Sequence, residues 1–223
     1  SYYPEDGFLE KVREIADRCK AVLIFDEITS GFRMRVGGAY QLFNVVPDMV
    51  VYAKAISNGY PMAAIIGKTE VMEKAEESFI SSTYWTERIG PAAAIATIKK
   101  MKERDVPSHL IKMGKKIMEG WKELSEETGI KINISGIPPL PKFSFEYENS
   151  RELMTLFSQE MLERGFLARE SVYLSYSHKK KDIDMYFDAV KDVFRLIKKG
   201  LDRGKIKEML KGPVAAQGFR RLT

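Results

Sequence analysis

The segment Ala21-Val-Leu-Ile-Phe25-Asp26-Glu27 constrains the fold of this chain more than any other. It is a hydrophobic run of strand length that ends in a carboxylate. A second apolar run, Met49-Val-Val-Tyr52-Ala53, ends in the isolated ammonium of Lys54. Both charges fall where strands of an α/β sheet would end. In open sheets of that class, ligands bind in the crevice beyond the carboxyl ends of the strands.

An acid and an amine delivered to one such crevice suit a pyridine aldehyde, and pyridoxal phosphate is the cofactor expected. A lysine captures the aldehyde as a Schiff base, and a carboxylate keeps the ring nitrogen protonated so that the ring can accept electrons. Lysine serves because desolvation readily lowers its pKa and frees a nucleophilic amine. The apolar stretch Val22–Phe25 gives the carboxylate a dry flank, which strengthens its contact with a pyridinium.

Composition narrows the alternatives. The chain has 223 residues, 44% hydrophobic and 30% charged, enough for one sizeable core or two modest ones. The single Cys19 excludes an internal disulfide and fits a reducing, cytoplasmic compartment. It lies on the apolar face of a helix pattern built from Phe8, Leu9, Val12, Ile15 and Ala16, so a buried, inert thiol is expected. No apolar run is long enough to cross a membrane, and the first residues lack the pattern of a secretory signal. The net charge is +5. The basic residues gather late, in Lys179–Lys181, Lys198-Lys199 and Arg220-Arg221, but alternate with apolar helix positions and carry no interleaved aromatic platform. A solvated face is the expectation, with no nucleic-acid partner. His109 and His178 have no Cys or Asp companions at ligand spacing, so no metal site is expected.

Along the chain, the spacing predicts strands near 21–25, 49–53 and 63–67, and a short helix capped by Thr69 and running to about 76. Further helices are expected over 90–104 and 108–127, the latter with Leu110, Ile117, Trp121 and Leu124 as its core stripe. Beyond Gly129 the pattern changes to strands at 131–135 and 142–147, a helix at 151–164, short strands near 166–169 and 172–175, and a long helix at 182–199. That is an α+β unit, so the expected domains are 1–128 and 129–223. Trp121 is expected in the core and Trp85 at an interface. The end of the chain either lacks order or docks through Phe219 and Leu222.

Phe25-Asp26-Glu27-Ile28-Thr29-Ser30-Gly31-Phe32-Arg33 resembles the signature of class III (fold type I) aminotransferases. Pro47–Gly67, with Lys54 at its centre and Asn58-Gly59-Tyr60-Pro61 behind it, resembles that family's Schiff-base lysine segment. Ser82-Thr83-Tyr84-Trp85 and Gly90-Pro91-Ala92-Ala93-Ala94 resemble its phosphate-contacting loop and following helix. Within that family the segments resemble glutamate-1-semialdehyde aminomutases and aminotransferases like them.

The resemblance implies the C-terminal part of a fold type I large domain followed by a smaller α+β domain, and amino transfer between an amino donor and a carbonyl compound. It implies that Asp26 pairs with the pyridine nitrogen, that Lys54 holds the aldehyde and moves the proton, and that Ile28 packs on the ring. Thr83 would reach the phosphate of a partner subunit, hence a homodimer. Glu27 and Arg33 would be supporting residues. Arg169 and His178 are candidate substrate contacts outside any motif. Tyr84-Trp85-Thr86-Glu87-Arg88 departs from the small residues common in relatives, which implies a different substrate entrance. The chain is about half the family's length, so the glycine-rich phosphate turn and the ring-stacking aromatic would lie upstream of it; a fragment, a split-gene product that pairs with an N-terminal half, and a chain whose front half was lost are the alternatives. The competing expectation is a non-catalytic subunit that keeps the fold for assembly.

Overall fold

The computed structural model describes residues 3–83 and 85–216. It divides into two compact units, one over residues 3–111 and one beginning at Lys112.

The first unit starts with α1 (Phe8–Cys19), entered through Gly7 in the left-handed region. Next come β1 (Ile24–Asp26), β2 (Met49–Tyr52) and β3 (Ala64–Gly67), then α2 (Thr69–Met72) and α3 (Ile89–Glu103). The sheet order is β1-β2-β3. β1 and β2 run parallel, with Asp26 opposite Val51, and β3 returns antiparallel along β2. Two details depart from the sequence expectations. Lys68, not Thr69, is the cap residue of α2, which tightens into a 3₁₀ turn at Glu73–Ala75. Cys19 is exposed, because it lies in the last turn of α1 and the only buried residue of that helix is Ala16.

Asp48 ties this unit together. It is 8% exposed, and its carboxylate accepts hydrogen bonds from Lys68 Nζ (2.7 Å), Arg13 Nη1 (2.8 Å) and the backbone N–H of Leu23 (2.8 Å). One acid thus links α1, the approach to β1 and the residue after β3. The Lys68 ammonium, the Leu23 N–H and the Arg13 guanidinium hold its carboxyl well below the usual carboxylate range, against the opposing effect of burial. A carboxyl that ionises more readily folded than unfolded adds stability at every pH above its unfolded value, near 3.9; that contribution is lost as pH falls toward the folded value. Asp48→Asn should therefore cost about 2 kcal/mol at neutral pH. It should also flatten the fall in stability below about pH 4. Urea melts of wild type and variant at a series of pH values measure both.

In the second unit, the C-terminal part of α4 (Val106–Thr128) joins β4 (Ile132–Ile137), β5 (Leu140–Phe145), α5 (Ser150–Glu163) and α6 (Lys180–Asp202). The division between units falls inside α4. The expected stripe Leu110, Ile117, Trp121 and Leu124 is buried throughout. β4 and β5 form a tight antiparallel hairpin, closed at Ile137 opposite Leu140. Phe143 sits at the centre of the core, with ring centroids 4.9 Å from Trp121, 5.2 Å from Phe157 and 6.0 Å from Phe194. Edge-to-face pairs of this kind add about 0.5–1.5 kcal/mol each beyond their burial. Trp121 Nε1–H donates to the Tyr186 hydroxyl (2.9 Å), which satisfies the indole in that apolar surrounding. Burial raises the Tyr186 pKa, partly offset by the bond from Trp121.

The strands expected near 166–169 and 172–175 do not form. The segment makes one isolated bridge, Lys142 with Ser171. Val172 and Leu174 donate to the carbonyls of Pro141 (3.1 Å) and Pro139 (3.2 Å). Phe143 N–H donates to the Glu170 carbonyl (2.9 Å), but proline has no N–H to donate in return, so the reciprocal ladder does not propagate past Pro141. Further on, residues 207–215 lie along α5. Gln159 bonds Met209 O (3.0 Å) and the Lys211 N–H (2.7 Å), and Thr155 Oγ1 accepts from Ala215 N–H (3.1 Å). Phe219 and Leu222 lie outside the described residues. No helix among the described residues is long and apolar enough to cross a membrane.

Candidate active site

Asp26 is the last residue of β1, and Lys54 comes three residues after Val51, its partner on β2. Because the two strands are parallel, both side chains arise at the same, carboxyl-terminal edge of the sheet. Asp26 Oδ1 accepts the N–H of Ile28 (2.9 Å). Its other oxygen takes no hydrogen bond among the described residues. Lys54 Nζ donates to Thr29 Oγ1 (2.6 Å), which leaves two ammonium protons uncommitted. Both residues are exposed in this chain.

Lys54 opens the 3₁₀ turn Lys54–Ile56 with φ at 51°, in the left-handed region. A non-glycine residue held there costs about 1–3 kcal/mol, and such positions cluster at functional sites. Asn58 (φ 50°) and Gly59 (φ 103°) complete the turn beyond it.

Glu27 sends its side chain the other way. It is 4% exposed, accepts a hydrogen bond from Ser30 Oγ, and accepts another from Tyr40 N–H (2.8 Å). The buried carboxylate therefore fixes both ends of the loop that follows β1. Gly31 is required where that loop closes, since a β-carbon there would lie 2.7 Å from the Glu27 carbonyl and from the Tyr52 ring. Burial first, then the Tyr40 and Glu27 charges, pushes the Tyr52 phenol up to about 12. Tyr52 thus stays a neutral spacer under the loop.

The structure places the other expected residues as follows. Ile28 is half-buried in the turn after β1, beside Asp26. Thr83 lies in an exposed turn. Arg169 and His178 belong to the second unit: Arg169 pairs with Glu170 (2.9 Å), and His178 Nδ1 accepts from Ser175 N–H (3.0 Å). Three contributors were not anticipated: the hydroxyl of Thr29, the buried position of Glu27, and Glu87. Glu87 accepts from the Ile89 and Gly90 N–H groups (2.6 and 3.0 Å) at the start of α3. These two donors, Gly90 first, hold its carboxyl below the ordinary glutamate range. An acid two residues ahead of a helix was a signal for that role. Nothing in the sequence distinguished Thr29.

A carboxylate with a bare oxygen and an amine with spare protons, rooted on adjacent parallel strands, make a donor set that fits a pyridine aldehyde. The comparisons agree with that chemistry. The profile of class-III aminotransferases matches residues 1–194, and the chain belongs to that family. A 3-aminobutyryl-CoA aminotransferase from Cloacimonas acidaminovorans is 33% identical over 204 residues, which covers 89% of this chain and 49% of the relative. A glutamate-1-semialdehyde 2,1-aminomutase from Clostridium botulinum is 31% identical over 205 residues, or 83% of this chain and 48% of the relative. Among solved structures, the PLP internal aldimine form of the Sphingopyxis sp. MTA144 FumI protein superposes with a TM-score of 0.82 at 22% identity. It covers 87% of this chain and 48% of its own. The α/β class is that of these transaminases. The chain spans about half the length of the curated relatives it matches.

Proposed function

We propose that this chain carries the amine-bearing and acid-bearing half of a pyridoxal-phosphate-dependent aminotransferase or aminomutase. The observation that carries this is the shared strand edge: Asp26 and Lys54 leave neighbouring parallel strands at one end, each with hydrogen-bonding capacity unspent. Bound there, the cofactor would supply an electron sink for charge at the substrate's α-carbon. Asp26 would hold the proton on the ring nitrogen, with the Ile28 N–H orienting its carboxylate. Lys54 would grip the aldehyde carbon and, once released, carry the proton. Ile28 would lie against the ring, and Thr83 would serve the phosphate of a partner subunit in a homodimer. The working domains would be 1–128 and 129–223, and the location cytoplasmic.

The named relatives act on 3-aminobutyryl-CoA and glutamate-1-semialdehyde. The proposed substrate is accordingly an amine with a carbonyl group close to the amino carbon, exchanging its amino group with a carbonyl acceptor.

A second reading, a fold-retaining subunit without chemistry of its own, has one observation behind it. Ile65 and Ile66, neighbours on β3 that face opposite sides of the sheet, are 55% and 52% exposed. Both faces of this short sheet call for cover from further chain, consistent with pairing to an N-terminal half.

One experiment separates the readings. The chain is mixed with a separately expressed N-terminal half of a class-III relative and pyridoxal phosphate, reduced with borohydride, and digested for mass spectrometry. The enzymatic reading expects the cofactor mass on the Lys54 peptide. An assembled complex whose Lys54 stays unlabelled, or in which the label is spread over surface lysines, overturns it.

A further inference from the structure

The second unit contains a cavity of about 440 Å³ that the amino-transfer chemistry does not use. It is bordered by the polar face of the β4–β5 hairpin, one side of α5, and the backbone at Ala215-Ala216. Its size is within the range of small-molecule sites and well above that of a single ion.

Its chemistry is one-sided. Lys142, Arg151 and Arg169 contribute three positive charges against the single carboxylate of Glu170. Arg169 is committed to Glu170. The Lys142 ammonium has no hydrogen-bond or ion-pair partner among the described residues. Arg151 holds only the Ala215 carbonyl, at a long 3.4 Å. Ser158, one turn along α5 from Thr155, has a buried hydroxyl oxygen with no hydrogen-bond partner among the described residues. A buried hydroxyl left unsatisfied is costly, and native structures usually give it a partner. Met154, Ala215 and Ala216 supply an apolar wall.

We propose that this cavity binds a phosphorylated small molecule, its phosphate received by Lys142, Arg151 and the Ser158 hydroxyl and its organic part lying on the apolar wall. A guanidinium and an ammonium suit a phosphate because charge-assisted bonds to its oxygens are roughly twice as strong as neutral ones. The weak contact from Arg151 to Ala215 is exchanged for a stronger one, so binding also loosens the clamp on residues 213–216. The site lies within the second unit and uses neither Asp26 nor Lys54, so its fate and that of the amino-transfer reading are independent.

The test follows backbone amide shifts of the full chain during titration with adenosine diphosphate, inorganic pyrophosphate and citrate. Saturable shifts are expected at 133–144, 151–158 and 213–216, with adenosine diphosphate tighter than pyrophosphate because only the former reaches the apolar wall. Lys142→Ser and Arg151→Ser, both exposed positions, should each weaken binding at least tenfold, and Ser158→Ala a few-fold. Lys199→Ser, on a different basic surface, should change nothing. Absence of saturable shifts at those residues overturns the proposal. So does equal weakening by Lys142→Ser and Lys199→Ser, which would mean unspecific charge attraction, or binding of citrate as tight as that of adenosine diphosphate.

Discussion

Lys54→Ala, assembled with an N-terminal half, should retain its fold and lose amino transfer by a factor on the order of 10⁴, since positioned proton transfer alone contributes about 10²–10⁴ and the covalent hold on the aldehyde is lost as well. The fold should survive because the side chain is exposed and its one hydrogen bond is to Thr29. Alanine in place of Lys54 neither relieves nor adds much strain in the left-handed region, so the unfolding free energy should stay within about 1 kcal/mol of wild type. The measurement is paired: single-turnover amino transfer beside thermal unfolding. Added alkylamines give a further check. If Lys54 acts as the proton carrier, a small primary amine in solution should restore part of the lost rate. A variant that retains full rate would remove Lys54 from the chemistry.

Asp26→Asn is expected to lower the rate by about 10²–10³, the scale of losing one preorganised charge interaction at a reacting centre. The amide keeps the shape and can still accept the Ile28 N–H, so the turn after β1 should hold. What disappears is the negative charge that keeps a ring nitrogen protonated. Cofactor binding should weaken less than the rate falls, and Asp26→Glu should recover little, because a longer arm displaces the carboxylate from a turn held by a single backbone bond. Comparing cofactor dissociation constants with single-turnover rates for the two variants measures that split. Equal losses in binding and rate would make Asp26 a binding residue only.

Much of this site was legible in the chain because it depends on local order. Asp26 and Lys54 each end an apolar run, and parallel pairing of the two runs suffices to bring their ends together. The positions of Trp121 and its helical stripe followed from periodicity in the same way. Contacts that depend on distant partners were not legible. Asp48 is simply the residue ahead of the second apolar run in the sequence, yet Arg13 and Lys68 converge on it from far along the chain in either direction. Glu27 and Asp26 are chemically alike and adjacent, and only the closed loop through Ser30 and Tyr40 shows that one faces inward. Cys19 misled for a related reason: apolar spacing marks the side of a helix that can be buried, not how far along the helix the cover extends.

The prolines of the hairpin have a consequence for assembly. Along the outer margin of β5 the Phe143 N–H donates to the Glu170 carbonyl (2.9 Å), but from Pro141 back to Pro139 the prolines offer carbonyls and withhold amides, so bonding across that part of the seam runs in one direction only. A stray strand from another molecule would meet the same incompletely matched margin and gain fewer than the usual bonds. The 170–174 segment, tethered in the same chain, tolerates that deficit because its local concentration is high. The unit thereby carries a built-in guard against edge-to-edge polymerisation, and Pro141→Val, which restores a donor at that margin, is the change most suited to remove it.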